Sequence, residues 1–120
     1  MQTIYQTTIT RVGENARDAL EDNMMITFRE GAPADIEAFC FIHSHGALSA
    51  DLMPGCTLEL GGHCYPVTAV GDVAGQNLRE LGHITLRFDG HAQAEYPGCV
   101  HVSGPVPDDI AAGSTMKFIA

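Results

Sequence analysis

The residues whose types and spacing suggest chemistry are the histidines of Phe41-Ile42-His43-Ser44-His45-Gly46. No other two histidines in the chain lie two residues apart. In a strand, residues i and i+2 project to the same face, so the two rings would stand side by side, about 6–7 Å apart. The preceding Glu37-Ala38-Phe39-Cys40-Phe41-Ile42 is apolar and partly aromatic, as suits a strand. Gly46 then releases the backbone and places the pair at the strand's mouth, near solvent. Two imidazoles so placed can hold a metal, pass a proton or accept a phosphoryl group.

A metal would need further ligands, and Cys40, His63 and Cys64 are the candidates by type, since zinc takes nitrogen and sulfur donors. Their spacing matches no standard structural-zinc pattern. The residues after His45, Gly46-Ala47-Leu48-Ser49-Ala50, lack the acid a cupin would use. No metal and no other cofactor is therefore expected. An isolated histidine is usually an ordinary packing residue, and His63, His83, His91 and His101 are read that way. Two on one face beside Phe39 and Phe41 fit that reading less well, because aromatic residues around a reactive polar group form a docking patch. A covalent phosphohistidine needs only a positioned neutral ring and donors for the phosphoryl oxygens. It requires no nucleotide loop, and none is present: there is no GxxxxGK[ST], GxGxxG or GxSxG motif. The acids show no pairing of the glycosidase kind.

The elements that must position the pair are mostly strands. Residues 2–12 read as a strand, 14–22 as a short helix, and 23–29 as a strand with Met24, Ile26 and Phe28 inward. Gly31-Ala32-Pro33 ends that strand, and Asp35 starts one helical turn before the His43 strand. Cys56, Leu58 and Leu60 alternate inward, and Gly61-Gly62 connects them as a hairpin to 63–70. Residues 72–81 read as a second helix, capped by Asp72 and ended by Gly82. Ile84, Leu86 and Phe88 face inward on the next strand, and strands at 99–103 and 115–119 flank the rigid 104–109 connection. No internal repeat, linker or low-complexity segment stands out. Seven or so short strands with Gly and Pro turns predict an all-β barrel or sandwich.

The 120 residues are read as one domain, residues 1–120, able to bury a normal core. No apolar run approaches the ~18 residues of a membrane span, and Met1-Gln2-Thr3-Ile4-Tyr5 lacks the regions of a signal peptide. A cytoplasmic protein without direct membrane insertion is expected. The formal net charge of −9 disfavours nucleic acid and anionic lipid and favours basic protein surfaces, although such a balance often serves solubility alone. Cys40, Cys56, Cys64 and Cys99 form no CxxC pair and read as reduced packing residues.

Beyond these features, the chain resembles the enzyme IIA component of the glucitol/sorbitol-specific phosphoenolpyruvate-dependent sugar phosphotransferase system. The likeness runs through residues 4–10, Ile26-Thr27-Phe28-Arg29-Glu30-Gly31-Ala32-Pro33, the 41–46 motif, Tyr65-Pro66-Val67-Thr68-Ala69-Val70-Gly71, residues 77–83 and 85–90, and Gly104-Pro105-Val106-Pro107-Asp108-Asp109-Ile110. The resemblance implies a small closed β-barrel of complex topology, here with one or two short helices. It implies a phosphohistidine intermediate on the first histidine of Phe-Ile-His-x-His-Gly, which falls on His43. The phosphocarrier HPr would donate the group and the system's IIB component would accept it for sugar uptake. His45 is not the acceptor in that family; as an auxiliary it could donate a hydrogen bond to a phosphoryl oxygen. The alternative is a small metal- or ligand-binding β-barrel that uses the His43/His45 pair.

Overall fold

The computed structural model describes residues 2–120. Eight strands close into one barrel in the order β1-β3-β2-β6-β7-β5-β4-β8. The strands are β1 Thr3–Val12, β2 Met24–Arg29, β3 Phe41–His43, β4 Thr57–Leu60, β5 His63–Val70, β6 Ile84–Arg87, β7 Cys99–Val102 and β8 Thr115–Ile119. Among the described residues the helical segments are a 3-10 helix at Ala16–Asp22, the single turn α1 at Ala34–Glu37, and α2 at Ala74–Leu81. That is three short helices where one or two were expected. Closure removes the free sheet edges that strands this short would otherwise expose.

The pairs β2/β3 and β6/β7 are parallel; the others are antiparallel. Parallel neighbours cannot be joined by a tight hairpin, so residues 30–40 and 88–98 run as long crossovers. The first crossover shortens the His43 strand. Residues 34–37 form α1 and 38–40 turn, so pairing begins only at Phe41 instead of near Glu37. The carbonyls of Ala38 and Cys40 instead accept from Asn15 and Gly13.

The core is built by alternation, with Tyr5, Ile9, Leu58, Leu60, Leu86, Val100 and Phe118 all buried. β2 departs from its expected facing. Met25 and Thr27 are fully buried, whereas Met24, Ile26 and Phe28 are only partly so. The strand is apolar on both sides because the 3-10 helix packs against it. The inward Thr27 hydroxyl is satisfied by donating to the Gly82 carbonyl at 2.9 Å. α2 buries Ala74 and Leu78, and its N-cap position is Val73, with no side-chain cap from Asp72.

Although no internal repeat is evident by inspection of the sequence, the strand pairing reveals one. Exchanging β1–β4 with β5–β8 leaves the barrel order unchanged. The registers follow with residue numbers shifted by 58: Arg29 pairs with His43, and Arg87 with His101. Likewise Thr7 pairs with Met116, and Tyr65 with Leu58. The trace in sequence is Val12-Gly13-Glu14-Asn15-Ala16 against Val70-Gly71-Asp72-Val73-Ala74, and Ile26-Thr27-Phe28-Arg29 against Ile84-Thr85-Leu86-Arg87. Gly13 and Gly71 answer the same demand, for a Cβ at either would run into a crossover carbonyl, of Glu37 or Pro97.

Candidate functional site

β3 is held between β1 and β2, with His43 opposite Ile9 on one side and Arg29 on the other. This central position buries the side chain completely, at 0% exposure, so His43 does not stand at a solvent-facing strand mouth. Both ring nitrogens are engaged. The His45 backbone N–H donates to Nδ1 at 3.1 Å, and the Thr7 hydroxyl lies 3.0 Å from the same atom. Because Nδ1 accepts, the ring proton belongs on Nε2, which donates to the Gly82 carbonyl at 2.8 Å. Burial lowers the His43 pKa below the ordinary histidine value; the Gly82 carbonyl and Glu30 oppose the shift and His45 adds to it. The imidazole is therefore neutral at physiological pH, the state a nucleophile needs.

His45 lies beyond the strand, not beside His43 along it. Its backbone is left-handed, with φ 70, a conformation that histidine reaches more often than most side chains. The turn aims its N–H at His43 and brings the ring centroids to 5.9 Å with planes at 61°. The Tyr5 hydroxyl, which the Gly46 backbone also contacts, lies 2.8 Å from His45 Nδ1. Burial raises the Tyr5 pKa, so this hydroxyl keeps its proton and donates it to His45. His45 Nε2–H then donates to the Arg79 carbonyl at 3.0 Å.

Both histidines thus reach the same element, the C-terminal turn of α2 and its cap. A helix C-terminus presents unsatisfied carbonyls and the negative end of its dipole, so it suits N–H donors. Gly82 closes that turn at φ 60 and packs directly on the ring; a Cβ there would lie 2.5 Å from His43 Cε1 and 2.7 Å from Nε2. Glycine is the residue that meets both demands.

Of the aromatic residues beside the pair, Phe39 is 54% exposed, but Phe41 is wholly in the core and offers no docking surface. Two of the larger surface grooves, of about 330 and 350 Å³, are lined by residues 48–53 with α2 and by residues 11–14 with α1; His43 lines neither. The possible further ligands are not gathered at the pair among the described residues. Cys40 is buried, while His63 and Cys64 are exposed and His63 pairs with Asp109. Tyr5, Thr7, Gly82 and the Arg79 carbonyl are site groups that the motif alone does not reveal. A signal exists for two of them: Tyr5, Thr7 and Ile9 share the inward face of β1, which carries two polar groups into a core.

A family model described as the PTS system glucitol/sorbitol-specific IIA component matches residues 4–117. Proteins named PTS system glucitol/sorbitol-specific EIIA component from Shigella flexneri and Escherichia coli (strain K12) are each 69% identical over 118 residues, covering 98% of this chain and 96% of their own length. The crystal structure of a PTS system IIA component from Enterococcus faecalis V583 superposes with a TM-score of 0.87 at 28% identity, covering 96% of this chain and 99% of that one.

Proposed function

Because the chain belongs to the glucitol/sorbitol-specific IIA family of the phosphotransferase system, we propose that it is a phosphocarrier whose acceptor is His43. Phosphorylated HPr donates the group and the system's IIB component receives it. The observation that carries this reading is a neutral imidazole held by hydrogen bonds at both nitrogens. Positioning of this kind is what transfer between two side chains chiefly requires.

Attack by Nδ1 must open its contacts with Thr7 and the His45 N–H; attack by Nε2 must open its contact with Gly82 and, as the ring proton shifts to Nδ1, that with the His45 N–H. The Nδ1 partners lie on β1 and on the turn after β3, within the barrel wall. The Nε2 partner lies on the cap of a short helix, outside the barrel wall, where the Gly82 carbonyl is shared with the Thr27 hydroxyl. We assign Nε2 as the nucleophile. As the cap moves aside, the ring proton passes to Nδ1, the contact from the His45 N–H opens, Thr7 Oγ1 accepts the relocated proton, and the Nε2 lone pair faces the donor. The phosphorus–nitrogen bond of phospho-HPr, whose other ring nitrogen carries a proton, breaks; the electron pair returns to that imidazole, which leaves neutral, and the new bond forms at His43 Nε2 while the proton stays on Nδ1. Transfer to IIB repeats the exchange in the opposite sense.

The test is incubation with phosphoenolpyruvate, enzyme I and HPr. Acid-labile phosphate is expected on the wild type and not on His43→Ala, and phosphorus–nitrogen couplings should place it on Nε2. Labelling that persists in His43→Ala would overturn the assignment. The route uses no metal, so chelation should leave transfer unchanged; loss on chelation with recovery on adding zinc would give the role to a metal.

A further inference from the structure

The internal repeat sets His101 where His43 stands in the other half, opposite an arginine of the parallel neighbour strand. The surroundings differ in kind. His43 meets a hydroxyl, a backbone N–H and a carbonyl; His101 meets carboxylates. Its Nδ1 lies 2.8 Å from Asp89 Oδ1, and its side chain has no exposure. On the crossover, His91 Nδ1 lies 3.0 Å from Glu95 Oε1 and 3.5 Å from Asp89 Oδ2. The two imidazoles stack at 5.4 Å with planes 14° apart. The ligand atoms of Asp89, His91 and His101 all lie within 4.8 Å of one another.

We propose that Asp89, His91, Glu95 and His101 form a binding site for a divalent transition-metal ion of the zinc type. Bonds of ~2.0–2.2 Å in a tetrahedral shell place neighbouring donor atoms about 3.3–3.5 Å apart. The separations of 2.8 Å between His101 Nδ1 and Asp89 Oδ1 and of 3.0 Å between His91 Nδ1 and Glu95 Oε1 are close to that spacing, and the donors of Asp89, His91 and His101 already lie within 4.8 Å of one another. Two nitrogens with two carboxylate oxygens suit zinc, whereas magnesium and calcium prefer oxygen donors throughout.

Arg87 supplies the outer support. Its Nε lies 3.5 Å from Asp89 Oδ2 and its Nη2 4.0 Å from Glu95 Oε2, leaving Oδ1 and Oε1 toward the histidines. Its Nε has no hydrogen-bond partner, so it does not compete by a well-made bond of its own. Such outer contacts orient ligating carboxylates. With an ion on His101 Nδ1, the ring proton sits on Nε2, and the long 3.4 Å contact from the Glu95 N–H opens.

The site is separate from His43, and its test is independent of phosphoryl transfer. Tag-free protein stripped with a chelator is titrated with zinc by calorimetry and with cobalt by visible absorption. One ion per chain is expected, with the strong d–d bands of tetrahedral cobalt and no response to magnesium. The exposed variants His91→Ala and Glu95→Gln, checked for folding by circular dichroism, should each weaken zinc binding at least tenfold. The double variant His43→Ala/His45→Ala should bind as the wild type does. No saturable binding up to millimolar zinc would overturn the proposal. So would binding that survives His91→Ala and Glu95→Gln unchanged, or that disappears in the His43→Ala/His45→Ala protein.

Discussion

At His43, burial decides the charge of the ring, and that makes stability depend on pH. In an unfolded chain the imidazole takes up a proton near pH 6.5. In the barrel burial holds it neutral to lower pH. Below about pH 6.5 the unfolded state therefore binds more protons, and stability falls on acidification until the folded ring also protonates; above that pH the contribution is fully present. Denaturant titrations at pH 7.5 and 5.5 should show a smaller loss for His43→Gln than for the wild type, and equal losses would mean that His43 does not set the dependence. At His45 the backbone and the ring do different things. The N–H that fixes the His43 tautomer survives any substitution except proline, while the ring only ties Tyr5 to α2. His45→Ala should still accept phosphate, with single-turnover transfer slowed by about tenfold, a loss of ~1.4 kcal/mol. An unchanged rate would make the ring a bystander. His45→Gly should be more stable than His45→Ala by ~1 kcal/mol, because glycine relieves the left-handed strain at φ 70. Comparison of the two denaturation midpoints checks this.

At the level of elements, α2 is the part that covers His43, the proposed acceptor. Gly82→Ala should lower stability by ~1–3 kcal/mol through backbone strain and slow acceptance by His43, because the new methyl displaces the ring. Gly82→Asn, which tolerates the left-handed region better, keeps that clash. It should recover part of the stability and little of the transfer rate; full recovery of both, measured by denaturation and single-turnover labelling, would make Gly82 a purely conformational residue. The helix end itself was legible, since glycine after an apolar-periodic stretch marks such a stop. So were the Gly61-Gly62 hairpin and the facing of Leu58, Leu60, Ile84 and Leu86, where alternation is clean. β2 was misread because Met24, Met25, Ile26 and Phe28 give both faces an apolar claim, and only the 3-10 helix packed outside decides between them. The His43 motif was readable as chemistry, but its burial was not. Enclosure depends on Thr7, 36 residues earlier in the chain, and Gly82, 39 residues later. No local pattern reports contacts of that range.

For the whole molecule, the net charge of −9 should steer a partner with a basic rim. Association with HPr is then expected to weaken as salt rises, since the field reaches only about 8 Å at physiological ionic strength. A salt-insensitive association rate would assign docking to apolar contacts such as Phe39. On the proposed relay, HPr and IIB would each stand over the same ring. A standard interface takes ~800 Å² from each partner, much of one side of a barrel measuring 32 × 28 × 26 Å. Saturating IIB should therefore release HPr from a labelled complex, and a stable ternary complex would separate the two surfaces. The two-fold relation of the strands has a consequence for how the chain can be cut. Gln2 and Ala120 exchange backbone hydrogen bonds of 3.1 and 2.8 Å, so the gap between β8 and β1 is the counterpart of the β4–β5 hairpin at Gly61-Gly62. Joining residue 120 to residue 2 through a short turn and opening the chain between Gly61 and Gly62 yields a circular permutant. It exchanges the order of the two halves in the gene while leaving every strand with its present neighbours.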